Sequence, residues 1–196
     1  AQKALQTIKS LIPRLVTSGI VVSNEPILYV DPPNVPPVME FLKQHTGFRC
    51  KQMIDITATD VPTREKRFEV AYQLLSIDHN SRIRVKTQVG GHEGDDGVPS
   101  VAGIFSSANW YERETWDMFG IEFEGHPSLF RIVLPPTWKG HALRKEHPAR
   151  ATEMEPFSLD DEQEAFEQDA LLFNPEQWGM KRQSDTSEFM FLNLGP

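Results

Sequence analysis

Two stretches, Phe68–Ile77 and Ile83–Val89, alternate apolar and polar residues, and a period of two is the signature of a strand with one buried face. Phe68, Val70, Tyr72 and Leu74 share a side of the first; Ile83, Val85, Thr87 and Val89 share a side of the second. Asp78 to Ser81 supply the turn, so the pair reads as a hairpin whose apolar face must be covered by something else. The opposite row, Arg82, Arg84, Lys86 and Gln88, reads as a solvated face. A nucleic-acid platform would want exposed aromatics between such cations, and a formal net charge of -8 opposes nonspecific binding to polyanions.

Helical periods elsewhere supply the cover. Leu5, Ile8, Ile12 and Leu15 predict a helix from about Gln2 to Val16; Val38, Phe41 and Leu42 predict another over 35–45, started after Pro32-Pro33 and stopped near Gly47. Ile20–Val22 and Ile27–Val30 read as short strands joined through 23–26, and Met53–Thr57 as a further strand. With a third helix capped by Asn109 and closed by Gly120, the order is helix, two strands, helix, three strands, helix. That order predicts a two-layer α+β fold, one mixed or antiparallel sheet with helices on one face. It implies a core domain over 1–125 and an extended arm over 126–196.

Several classes are poorly supported. No apolar run approaches the roughly 20 residues that span a bilayer, and no stretch reads as a signal peptide. Cys50 is the single cysteine, so four thiolates for an iron–sulfur cluster are not available here; its basic neighbours Arg49 and Lys51 could lower its pKa, but packing is the favoured reading. The acidic glycine-rich loop Gly90–Gly97 lacks the spacing of a calcium hand, and the lysine and helix start of a phosphate loop. His126, His141 and His147 lack the close pairing of a zinc site. Glu112 and Glu114, two apart on a helix, diverge too far for an acid–base pair. No dinucleotide fingerprint or nucleophile elbow is present.

The third helix carries the densest chemistry, in Asn109-Trp-Tyr-Glu-Arg-Glu-Thr-Trp-Asp-Met-Phe-Gly120. Asn109 with Glu112 reads as a capping box, and Arg113 is one turn from Asp117, the spacing of a helical ion pair. Trp110, Tyr111, Trp116, Met118 and Phe119 go nearly all the way round, which predicts burial on most sides and leaves Glu112, Arg113, Glu114 and Asp117 in need of partners. Beyond His126 the chain turns basic, then acidic: five Lys or Arg and one Glu in 126–150, nine acids and no Lys or Arg in 151–180. An amphipathic acidic helix is predicted near 158–172, and the scattered rings of Trp138, Trp178, Phe189 and Phe191 suit a partner surface.

The string Glu112-Arg113-Glu114, Asp117-Met118-Phe119, His126, Ile132-Val133 resembles the signature of the thirty-kilodalton, or C-type, subunit of respiratory complex I, the proton-translocating NADH:quinone oxidoreductase. One departure is Phe130, where that family usually has a basic residue, followed here by Arg131. The hairpin at 68–86, and Trp138–Lys145 with Pro148–Arg150, extend the resemblance over nearly the whole chain. Glu188–Pro196 resembles the opening of the forty-nine-kilodalton subunit, which implies a piece of a fused C/D polypeptide with that second subunit starting near 188–196.

The resemblance implies a non-catalytic structural and assembly subunit of the peripheral arm, holding neighbours in place while electrons pass from NADH through FMN and iron–sulfur clusters in partner subunits to quinone. It implies no cofactor, metal or catalytic residue in this chain, and a partner set of the forty-nine-kilodalton subunit and cluster-bearing subunits. Glu112, Arg113, Glu114, Asp117 and His126 are then a polar network, and Arg131, Arg144, Lys145 and Arg150 partner-binding cations. The fusion-like ending favours the cytoplasmic face of a bacterial membrane over the mitochondrial matrix side. Two other readings stand beside this one: the equivalent domain of a related membrane-bound nickel–iron hydrogenase, and a free-standing enzyme using the histidines and carboxylates of 112–147.

Overall fold

The computed structural model describes residues 1–90, 97–136 and 138–148. The predicted helix at 158–172, the segment at 188–196, Arg150 and most of the glycine-rich loop lie outside the described residues.

The hairpin forms where the alternation places it. Strands β4 (Phe68–Ser76) and β5 (Ser81–Val89) pair antiparallel with Tyr72 opposite Val85, and every second residue of β4 is buried. β3 (Gln52–Asp60) pairs antiparallel with the outer side of β4 and runs beyond its predicted apolar run at both ends; a bulge between Met53 and Asp55 resets its pleat. β1 (Ser18–Val22) and β2 (Glu25–Tyr29) make the predicted second hairpin, with Ser23 and Asn24 both at positive φ in its two-residue turn. β2 joins β5 in parallel, so the sheet is mixed and its order is β1-β2-β5-β4-β3. A short parallel pair, β6 (Val98–Pro99) and β7 (Phe123–Glu124), brackets the third helix.

Helix α1 (Gln2–Leu11) is shorter than its apolar period suggests, because Pro13 cannot continue the backbone ladder and the helix closes at Ile12. Gly19 lets α1 lie close on the sheet: a Cβ there would sit 2.6 Å from Leu5 Cδ1. A 3-10 turn at Pro32–Asn34 leads into α2 (Val35–Gln44), and α3 spans Ala108–Phe119. One hydrophobic cluster gathers Ile8 of α1, Val35, Val38, Met39 and Leu42 of α2, Ala108 of α3, and the inner rows of the strands, including Val70, Tyr72, Leu74 and Val85. Cys50 belongs to it; burial pushes its thiol up to about 12, which overturns any activation by Arg49 and Lys51.

The basic row of β5 is cross-linked rather than bare. Arg84 Nε donates to Gln73 Oε1 at 3.1 Å and its Nη2 lies 3.7 Å from Glu25, while Lys86 Nζ is 2.5 Å from Glu69. These cross-strand pairs lock register more than they add stability, since half-exposed ion pairs contribute about 1 kcal/mol or less.

Candidate functional site

Helix α3 opens two residues earlier than the sequence suggests, and its start corrects the predicted capping box. Ser107 is the N-cap residue but makes no side-chain cap bond; its hydroxyl donates to Met53 O of β3 at 3.3 Å. Asn109 lies inside the first turn, and its own carbonyl faces His126 Nε2 at 3.2 Å. Glu112 reaches away from the helix, with Oε1 accepting the Val101 amide at 2.8 Å and Oε2 bonded to Ser100 Oγ at 2.6 Å. The edge of β3 is where the chain first needs α3: Thr115 Oγ1 stands 3.2 Å from Ile56 O and 2.8 Å from Tyr111 O, so a helix hydroxyl covers an edge-strand carbonyl.

Tyr111, Trp116 and Phe119 pack partly buried against the core, but the fully buried positions of α3 are not the aromatic ones the sequence suggests. Glu112, Arg113, Thr115 and Asp117 are all buried, Asp117 at 0% exposure, whereas Trp110 is 55% exposed. Glu114 alone of the signature's acids points to solvent. The physical reason lies in what α3 faces: loops and an arm rich in backbone N–H and C=O groups, which only polar side chains can satisfy.

Asp117 and Arg113 do not pair with each other; each is turned to the arm. Asp117 Oδ2 accepts the amides of Ile132, Val133 and Leu134 at 3.2, 2.9 and 2.9 Å, and its Oδ1 receives Arg131 Nη1 at 2.6 Å. Arg113 Nε donates to Phe130 O at 3.2 Å, and its guanidinium lies 3.6 Å over the Phe130 ring and 4.8 Å from the Trp110 centroid. Phe130 therefore acts as a face for Arg113, where a basic side chain would have brought two cations together.

The arm also completes the carboxyl end of α3. Gly120 is left-handed at φ 72, as its position predicts. The terminal carbonyls that a helix leaves without internal partners are then met from outside: Asp117 O by His141 Nδ1 at 2.9 Å, Met118 O by the Leu143 amide at 2.9 Å, Phe119 O by Arg144 Nε at 2.6 Å and Gly120 O by Arg144 Nη2 at 3.2 Å. The Arg144 guanidinium at that end also suits the helix dipole. Burial lowers the His141 pKa, with the Asp117 carbonyl bond opposing it.

A second anchor ties the arm to the sheet. Arg67 holds Asp60 through two bonds, Nε to Oδ1 at 2.6 Å and Nη2 to Oδ2 at 2.7 Å, while its Nη1 reaches Glu146 at 2.5 Å. The Lys145 amide donates to Asp60 Oδ2 at 2.9 Å. The Arg67 guanidinium holds the Asp60 carboxyl below its ordinary range, against the opposing effect of burial.

Of the predicted cations, Arg131 and Arg144 thus engage groups of their own chain and Lys145 engages through its backbone. His126 sits beside Glu112: its Nδ1 accepts the Ser128 amide at 3.1 Å and its Nε2 is 3.9 Å from Glu112 Oε2. Burial lowers the His126 pKa and pushes the Glu112 carboxyl up to about 7. Tyr72, fully buried beneath, has its phenol raised by burial and then by Glu112. Asp60, Arg67, Ser100 and His141 escaped sequence reasoning as anchors, because each meets a segment remote in the chain; Asp60 and Lys145 are separated by 85 positions and share no local pattern. Among the described residues no group of three or more His, Cys, Asp or Glu could hold a metal ion.

Residues 28–153 match the family described as the respiratory-chain NADH dehydrogenase, 30 Kd subunit. Curated relatives bearing the name of the C/D subunits of NADH-quinone oxidoreductase include that of Methylococcus capsulatus (strain Bath), 52% identical over 74% of this chain and 25% of its own, and that of Acidiphilium cryptum, 50% identical over 87% of this chain and 30% of its own. The chain therefore spans no more than about a third of these relatives' length. Among solved structures, a trypsin-resistant fragment of Nqo5 aligns with TM-score 0.52 and 27% identity over 65% of this chain and 98% of that one. The membrane-bound sulfane sulfur reductase, an archaeal respiratory complex, contains a chain that aligns with TM-score 0.56 and 25% identity over 64% of this chain and 71% of that one.

Proposed function

The chain belongs to the family of the 30 kDa subunit of respiratory-chain NADH dehydrogenase, and from that membership we propose that it is a structural and assembly subunit in the peripheral arm of an NADH:quinone oxidoreductase. In this reading it carries no catalytic residue, cofactor or metal of its own; FMN and iron–sulfur clusters belong to partner subunits, and proton translocation to the whole assembly. Its neighbours are a forty-nine-kilodalton-type subunit fused to it, as the C/D relatives' names suggest, and the cluster-bearing subunits. No described helix is long and apolar enough to cross a membrane, so attachment at the cytoplasmic face of a bacterial membrane would run through those partners.

The observation that carries this reading is the arm. The buried charges Arg113, Asp117 and Asp60, which could have lined a cleft, are instead bonded to backbone groups of Phe130, of Ile132 to Leu134 and of Lys145, which fixes the path of the chain as it leaves the core. Electron transfer and quinone binding depend on distances between subunits, and a chain clamped at Asp117 and Asp60 is suited to setting them. The likeness to a sulfane sulfur reductase chain supports a second reading, a subunit of a related membrane-bound complex such as a nickel–iron hydrogenase.

The test is recovery of the tagged full-length polypeptide from gently solubilised membranes, with identification of partners and assay of NADH:quinone reduction. Flavin- and cluster-bearing partners with that activity support the first reading. A nickel-containing assembly replaces it with the second, and a lone protein with activity of its own overturns both.

A further inference from the structure

Glu112 is a carboxyl group at 0% exposure, and among the described residues no Lys or Arg forms an ion pair with it. Arg113, the next residue of α3, is turned to Phe130 and Trp110. The groups that face Glu112 are the Ser100 hydroxyl and Val101 amide from the segment after β6, the Tyr72 phenol from β4, and His126 from the segment after β7. His126 cannot serve as the missing cation without a loss: its Nδ1 already accepts the Ser128 amide, so the proton sits on Nε2 and the ring is neutral. Burial and the Arg113 charge both oppose a second proton on that ring.

We propose that Glu112 is a proton-binding site inside the folded subunit, with Ser100 as the group that adapts to its charge state. The hydrogen bonds accommodate both forms. As a neutral acid, Glu112 keeps Oε1 as acceptor for the Val101 amide and donates from Oε2 to Ser100 Oγ, whose second acceptor site holds the Ala102 amide at 3.2 Å. As a carboxylate it accepts from both Val101 and Ser100, and the Ser100 hydroxyl must turn round. In the neutral form Glu112 keeps both its partners and avoids an unpaired buried charge, which outweighs turning the Ser100 hydrogen away from it.

The sign of the linkage follows. The folded chain holds this proton up to about pH 7, whereas an unfolded glutamate releases it near 4.5. Between those values the folded state binds more protons than the unfolded one, so this site makes the folding constant fall as pH rises, by up to about tenfold per pH unit, with little further loss above the folded value.

The test compares the full chain with Glu112→Gln by chemical unfolding from about pH 5 to about pH 8. Glutamine keeps the neutral acid's shape and lack of charge, and can accept from Val101 and donate to Ser100. The variant is expected to match the parent near pH 5, to exceed it at pH 8, and to lose this component of the pH slope. A variant as pH-dependent as the parent, or one less stable at pH 8, overturns the proposal. Infrared spectra of the parent with carboxyl-labelled glutamate do not depend on the variant folding. A protonated-acid carbonyl band that fades as pH rises through about 7 supports the site; carboxylate bands alone at about pH 6 overturn it.

Discussion

The β4–β5 hairpin and helix α3 lie in one domain and obey opposite rules of burial. In the hairpin, the residues hidden from water are mostly the apolar ones of each alternation, Phe68, Val70, Tyr72, Leu74, Ile83, Val85 and Val89, with only the small hydroxyl residues Ser76 and Thr87 beside them. In α3 the hidden residues are Ala108, Glu112, Arg113, Thr115 and Asp117, while an indole stands out in solvent. The hairpin faces other side chains, for which exclusion from water is sufficient. Helix α3 faces backbone, in the β3 edge, the loop after β6 and the arm, and each of those amides and carbonyls needs a partner of opposite polarity. The string densest in chemistry can thus be the most polar part of the core.

The largest effect should come from breaking that polar core. Asp117→Ala removes one carboxylate and strands three amides and Arg131, so a destabilisation of about 3–5 kcal/mol is expected, as for other buried groups that lose a charged partner. Urea unfolding of the full chain would measure it, and limited proteolysis should show new cleavage between 130 and 145. If stability fell by less than 1 kcal/mol, α3 would be an ordinary surface helix and the contrast with the hairpin would fail. The hairpin's counterpart is Leu74→Ala, whose fully buried side chain predicts a loss of about 2–5 kcal/mol from lost burial and the cavity left behind. That variant should leave the arm's cleavage pattern unchanged below the unfolding transition, which separates the two kinds of core.

This contrast also explains what could be read from the chain beforehand. The order of elements, both hairpins, the Gly120 closure and the sheet's buried rows were legible because each rests on a period or a turn within about ten residues. Helix α1 was overextended past Pro13 because Ile12 and Leu15 continue the apolar period after the backbone has stopped being helical. The α3 site resisted for another reason. Helical spacing suggested Arg113 with Asp117 and Asn109 with Glu112, the local partners, whereas Phe130, Arg131, Ser100 and Val101 outcompeted them from a distance. Polar side chains carry no period that says where their partners are, so the residues were visible and their bonds were not.

A smaller effect, and one with a pH signature, belongs to Asp60, where the sheet meets the arm. Its carboxyl is held below the ordinary range by Arg67, with the Lys145 amide adding to it. A depressed acid stabilises the folded state above its unfolded pKa, and that contribution is lost as pH falls through the folded value. Asp60→Asn should therefore cost about 2 kcal/mol at neutral pH, in the range for hydrogen bonds to charged groups. The cost should shrink as the parent is acidified below the usual carboxylate range, as read by paired unfolding curves. A cost that stayed constant with pH would make Asp60 a packing residue and detach the second anchor from the electrostatic account.

The smallest effect tests the boundary between the two regions. Tyr72 points from the hairpin's apolar row toward Glu112, and its hydroxyl is buried without a hydrogen-bond partner. If the polar core of α3 extended to it, Tyr72→Phe would remove a working bond and cost about 1 kcal/mol or more. Because the bonded partners of Glu112 are Ser100 and Val101, the phenol oxygen is a desolvated group that contributes nothing in return. Phenylalanine keeps the ring's contacts in the hydrophobic cluster and removes the oxygen. The expected change is thus within about 0.5 kcal/mol of zero or slightly stabilising. A clear loss would place Tyr72 in the polar network, and the line between apolar and polar burial would then run through the hairpin itself rather than between β4 and α3.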